Sequence, residues 1–128
     1  MTVVLDASAV LALLLSEAGA AEVAGVLAGS QMSAVNYAEV FTHYAKLGSS
    51  RADIEDVVDA LPIEIIPLDA ELAKAAGMLR QLTIEAGLSL GDRCCLALAK
   101  RSGLPVWTAD KQWKAVATAV GVKVVLIR

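Results

Sequence analysis

The sequence is poor in the residues that most often announce a site. It has one histidine, His43, and two cysteines, Cys94 and Cys95, which are adjacent. Neighbouring cysteines rarely bridge each other because the ring is strained, so there is no disulfide framework. Without a Cys-x-x-Cys spacing or a histidine pattern, nothing points to zinc. The cysteines read as buried free thiols on a helix, and His43 as a packing or surface residue. Aromatic residues are only 4% of the chain, which leaves little material for stacking on bases. No run of about 20 apolar residues is present; the best candidate, Ala7–Ala28, is broken by Glu17 and Glu22. The first basic residue is Lys46, so the basic start of a secretory signal is missing. A cytoplasmic protein without a membrane segment is expected.

What is present fits one domain over residues 1–128, long enough for a real core. Hydrophobic residues make up 57% and the mean hydropathy is +0.63. Either a second subunit or partner covers some apolar surface, or the chain simply carries an alanine-rich background. The net charge of −3 taken alone argues against a nucleic-acid binder. That argument weakens if some acids hold metal. Setting four of the 14 acids aside leaves 10, against 11 basic residues.

Aliphatic runs alternate with helical stretches. Strands are expected at Thr2–Leu5, Gln31–Val35, Ile63–Leu68, Pro105–Thr108 and Val122–Ile127. Helices are expected over Ala7–Ser16, Ala18–Ala28, Asn36–Leu47, Arg51–Leu61, Asp69–Ala86, Ser89–Ser102 and Asp110–Ala119. In Arg51–Leu61 the residues Ile54, Val57, Val58 and Leu61 share one face. This alternation implies a three-layer α/β/α domain with about five parallel strands.

Four acids fall at helix starts. Asp6 follows the first strand, Glu39 lies in the first turn after the second, Asp92 lies in the first turn of the helix opened by Ser89, and Asp110 follows the fourth strand. Taken singly, each is explained by helix capping: Asp6 and Asp110 as N-caps, Asn36-x-x-Glu39 and Ser89-x-x-Asp92 as capping boxes. Asp69, at the start of its own helix, keeps that explanation. Together they differ, because the carboxyl ends of parallel strands share the edge where ligands bind. Four crowded carboxylates must either protonate or bind cations. Hard divalent ions with oxygen ligands are the natural partners.

The stretches VVLDASAVLALLLSE (Val3–Glu17), SAVNYAEV (Ser33–Val40) and LSLGDRCCLALAKRSGLPVWTADKQW (Leu88–Trp113) resemble, in order and spacing, the acidic motifs of PIN-domain proteins. The similarity spans essentially the whole chain and is greatest to the VapC toxins of type II toxin–antitoxin pairs. It implies a five-stranded sheet of order 3-2-1-4-5 and Mg²⁺- or Mn²⁺-dependent endoribonuclease activity on single-stranded RNA. It also implies a homodimer and a VapB-like antitoxin partner. By position it makes Asp6, Glu39 and Asp92 the core metal ligands and Asp110 the fourth acid, often acting through water. It makes Thr108 the hydroxyl that holds a carboxylate or a water, with Ser8 a weaker candidate. Arg93 reads as a solvated helix residue, with a phosphate contact the other option.

Such an ion would assist hydrolysis in line at phosphorus, leaving a 5′-phosphate and a 3′-hydroxyl. Lys46, Lys111 and Lys114 are candidates for phosphate contact, whereas Tyr44 and Trp107 read as core. Two other readings compete. One is a PIN-like scaffold that binds partners without cutting RNA. The other is a phosphorelay receiver, which needs an acidic pair where this chain has only Asp6 in LDAS.

Overall fold

A computed structural model describes residues 1–128. Five parallel strands form the sheet: β1 (Val4–Leu5), β2 (Gln31–Ser33), β3 (Glu64–Ile66), β4 (Val106–Thr108) and β5 (Val124–Leu126). Their order is β3-β2-β1-β4-β5, the order the family resemblance implies. The register pairs Val4 with both Gln31 and Val106, and Leu5 with Trp107. The helices are α1 (Ala7–Leu14), α2 (Ala20–Val26), α3 (Ala34–Lys46), α4 (Arg51–Val58), α5 (Ala70–Met78), α6 (Arg80–Thr83), α7 (Leu90–Ser102) and α8 (Ala117–Val120). None is long and apolar enough to cross a membrane.

Strand side chains alternate between faces, and here both faces are covered. Val3, Leu5 and Met32 pack with α1 to α4, in a cluster that includes Val10, Val40 and Ile54. Val4, Val106 and Val124 pack the other way with α5, α7 and α8, around Leu72, Leu96 and Trp113. Continuous apolar strands are what burial on two sides demands.

Several boundaries move from those expected. β2 ends at Ser33, not Val35, because the Ser33 hydroxyl caps α3 by accepting the Val35 N–H at 3.2 Å. The helix therefore starts at Ala34. Asn36 lies inside it, and Glu39 sits in its second turn rather than its first. α4 stops at Val58, and Val57 is exposed while Ile54 and Val58 are buried. The helix expected over Asp69–Ala86 is two pieces, because the Leu82 N–H bonds back only three residues, to the Leu79 carbonyl. The helix expected over Asp110–Ala119 opens as a tighter 3-10 segment, Lys111–Ala115, which seats the fully buried Trp113 before α8 begins.

Gly19 closes one corner of the fold. It precedes α2 with φ +97°, and a β-carbon there would lie 2.7 Å from the Ile127 carbonyl oxygen. Both the backbone angle and the close approach require glycine. Gly19→Ala is expected to lower unfolding stability by about 2 kcal/mol or more. Gly25→Ala, in the last turn of α2 with no atom within 4 Å of its β-carbon, is expected to raise it slightly. Denaturant unfolding of the two variants checks both signs.

Candidate metal centre at the carboxyl edge of the sheet

The strand order reverses between β1 and β4, since β1 leads to β2 on one side and β4 lies on the other. Ligands of open α/β sheets bind at such a point, beyond the carboxyl ends of the strands. Asp6 leaves β1 there, and Thr108 with Asp110 leaves β4.

Asp6 is only 5% exposed. Its carboxylate accepts the Ala9 N–H at 2.8 Å, which caps α1. The Thr108 hydroxyl donates to it at 2.6 Å, and the Ser8 hydroxyl donates at 2.7 Å. Each hydroxyl in turn accepts a backbone N–H from the β4 exit: Ser8 from Ala109 at 2.9 Å and Thr108 from Asp110 at 3.0 Å. Asp6 is thus tied to Asp110 through one side chain. Ser8, the weaker candidate by sequence, takes as full a part as Thr108.

Burial pushes the Asp6 carboxyl up to about 6. The bonds from Thr108, Ser8 and Ala9 pull the other way and do not win, and the charge of Asp92 adds to the rise. Asp92 is half-buried and closes a capping box: it accepts the Ser89 N–H at 2.9 Å and the Ser89 hydroxyl accepts its N–H at 3.2 Å. Asp110 caps the 3-10 segment by accepting the Gln112 N–H at 2.9 Å. Three of the four acids therefore do the capping that a single-residue reading expects. Glu39 does not. It is exposed and lies over Gly91, the residue before Asp92.

Cys95 reports the crowding from below. Burial raises its thiol well above the ordinary range, and Asp6, Asp92 and Glu39 each raise it further by their charge. So these three acids lie within electrostatic reach of one buried atom.

A divalent cation suits this donor set. The ion pairs of the chain, Arg51–Glu55, Lys74–Glu71, Arg101–Asp69 and Arg128–Glu17, use none of the four acids. Buried carboxylates without a positive partner are costly. Asp92 and Asp110 each commit one oxygen to a cap and leave the other outside it. No group of three or more His, Cys, Asp and Glu side chains is drawn together as a ready-made metal cage. Magnesium needs no such cage, since it usually takes one or two carboxylates and keeps several waters.

Other sequence expectations fare unevenly. Arg93 is not a solvated residue: it is half-buried, its guanidinium donates to the Ala76 carbonyl at 3.1 Å, and its Nε is buried without a partner. Lys46, Lys111 and Lys114 are all exposed, and Lys114 donates to the Val124 carbonyl at 2.6 Å. His43 stands edge-on to Tyr44. Trp107 is half-buried. Sequence reading missed Asn36 as a side-chain partner of Glu39. The i, i+3 spacing was the available signal, but it matched a capping box equally well.

The PIN domain family model matches residues 3–119. With that match, this sheet order and these acids, the chain belongs to the PIN domain family. Its fold is similar to that of a toxin–antitoxin complex from Klebsiella pneumoniae, at TM-score 0.74 and 20% identity over 98% of each chain. It is also similar to VapC20 from Mycobacterium tuberculosis, a sarcin–ricin loop cleaving toxin, at TM-score 0.73 and 16% identity over 88% of this chain and 93% of that one. A third is VapBC2 from Rickettsia felis bound to a promoter DNA fragment, at TM-score 0.70 and 18% identity over 98% of each chain. A comparison with curated protein sequences found no match.

The raised Asp6 carboxyl has a consequence for stability. Its folded pKa of about 6 lies above the unfolded 3.8, so the folded state binds the proton more tightly. Stability without metal therefore falls as pH rises from about 4 to about 6. Above that window the penalty is on the order of 3 kcal/mol. Asp6→Asn removes the charge and keeps an acceptor for Ala9. In EDTA at pH 7.5 it is expected to be more stable than wild type by about 2 kcal/mol, with the gain vanishing near pH 4. Urea unfolding at the two pH values checks this.

Proposed function

We propose that residues 1–128 form a single PIN domain acting as a Mg²⁺- or Mn²⁺-dependent endoribonuclease, the toxin of a toxin–antitoxin pair. The observation that carries this reading is Asp6: a buried carboxylate, held by three donors, at the sheet's switch point, with three more acids nearby and no basic side chain paired to any of them. Asp6, Glu39 and Asp92 would hold the ion, and Asp110 would act through water.

When bound, a divalent ion lowers the pKa of a nearby water and stabilises charge building on phosphate oxygens. The chain's own part is positioning. Thr108 and Ser8 spend their single hydrogens on Asp6 and so fix the carboxylate in one orientation. The backbone N–H groups of Ala109 and Asp110 lock those hydroxyls in turn. Burial beneath the acids, with Cys95 and the strand ends, keeps water from the closed side of the site.

The substrate class, single-stranded or loop RNA, is supported by the likeness to a toxin described as cleaving the sarcin–ricin loop. A VapB-like antitoxin is supported by the several neighbours solved as toxin–antitoxin complexes. Exposed Met78, Leu82, Ile84 and Leu90 fit coverage by a second copy in a homodimer or by the antitoxin. The working compartment would be the cytoplasm, where such RNA lies.

The test is RNA cleavage by purified, antitoxin-free protein with Mg²⁺, Mn²⁺ or EDTA. Wild type is expected to cut only with metal, and Asp6→Asn to lose about a hundredfold or more while staying folded. Equal cutting by both proteins, or cutting in EDTA, would overturn the reading. A folded wild type that cuts no RNA would favour the partner-binding scaffold.

A further inference from the structure

Asn36 is 2% exposed and lies one turn before Glu39 on α3. Its amide nitrogen donates to Glu39 Oε1 at 2.6 Å and to the Gly91 carbonyl at 3.2 Å. Both partners are acceptors, so the amide can point only one way: the reverse orientation would set oxygen against two oxygens. Its own Oδ1 is buried and has no partner. An aliphatic residue would fill this place without an orphaned acceptor. A buried polar group that is half satisfied calls for a reason beyond packing.

The other side of the contact is as specific. A β-carbon on Gly91 would lie 2.6 Å from Glu39 Oε1 and 3.0 Å from its Cδ. The Glu39 carboxylate therefore rests directly on the bare backbone of α7, one residue before Asp92. Asn36 reaches across the same gap to the Gly91 carbonyl, so one amide ties α3, the Glu39 head and the α7 start together.

We infer that Asn36 is a positioning residue: with Gly91, it sets where the Glu39 carboxylate sits relative to Asp92, and so sets the site's affinity for a divalent cation. The inference rests on the metal-site reading above. Asn36 touches no ion itself. It holds an otherwise exposed, flexible glutamate in one place, which reduces the ordering that metal binding would have to impose.

The experiment is Mn²⁺ titration by calorimetry, with no RNA present, on wild type, Asn36→Ala, Asn36→Asp, Gly91→Ala, Glu39→Ala and the double variant Asn36→Ala/Glu39→Ala. Thermal unfolding of each in EDTA confirms the fold. Asn36→Asp keeps the shape and removes the donor. Gly91→Ala displaces only the mobile end of Glu39, so it carries the test if loss of the buried amide prevents folding. Each of the three is expected to weaken Mn²⁺ binding by about tenfold or more. In the Glu39→Ala background, Asn36→Ala is expected to add no further loss, because its effect runs through Glu39. Folded Asn36 and Gly91 variants that bind Mn²⁺ as wild type does would overturn the inference and leave the metal site standing. So would an equal loss in the Glu39→Ala background, which would mark Asn36 as merely structural. Absence of saturable Mn²⁺ binding by wild type would overturn the metal-site reading itself, and this inference with it.

Discussion

The structure turns on a carboxylate that is almost wholly buried. Asp6 ends the central strand of the sheet, so both helical layers and the β4 exit close around it. Ionised, it is costly there; its donors reduce the cost without cancelling it. Those donors are also what join the two halves of the fold. Ser8 comes from α1 and Thr108 from β4, separated by a hundred positions in the chain; Ser8 accepts the Ala109 N–H from the β4 exit, and Thr108 donates across to Asp6. The network that restrains the charge therefore also holds β4 against β1 at the carboxyl edge of the sheet. A fold that needed only stability would replace Asp6 with a neutral cap. Retaining a buried charge without a basic partner makes sense when a cation supplies the missing half.

Much of this was legible in the residues. Asp6, Asp92 and Asp110 sit at helix starts because short polar side chains cap helices, and that local rule places them whatever their further role. Apolar runs such as Thr2–Leu5 and Val122–Ile127 located the strands, although pairing claims only Val4–Leu5 and Val124–Leu126. The sheet order came from the family resemblance and not from periodicity, which cannot rank strands. Where local rules offered two equivalent solutions, the reading slipped. Ser33 and Asn36 are both good caps, and tertiary packing chose Ser33, which moved Glu39 to the second turn and freed Asn36 for its side-chain bonds. Arg93 was misplaced for a related reason. Nothing in its neighbours reveals that α5 presents the Ala76 carbonyl to it. Nor did helical spacing show that Val57 faces outward, since it shares a stripe with Val58.

The four acids differ in how firmly they are held, and the difference follows from their elements. Asp6 is fixed by strand, helix cap and two hydroxyls. Asp92 and Asp110 are each fixed by a cap at the start of a helical segment. Glu39 projects from the middle of a helix on a longer side chain, and without Asn36 it would have the most freedom to lose. A cluster built this way has a rigid floor in Asp6 and one movable wall in Glu39, and the wall can change without touching the fold.

The two apolar clusters share almost nothing except the sheet between them. Val4 belongs to one and Leu5 to the other, although they are consecutive. A change of volume on one face therefore meets few atoms of the opposite face, and substitutions on the two sides should combine nearly independently. Inheritance can then proceed as two separate drifts, each layer exchanging its own aliphatic residues at its own pace. Only the strands answer to both, as Val4 and Leu5 of β1 or Val106 and Trp107 of β4 do on opposite faces. A fold built in this way keeps its backbone while most of its text is rewritten, which fits the likeness of fold at 16–20% identity over nearly full length.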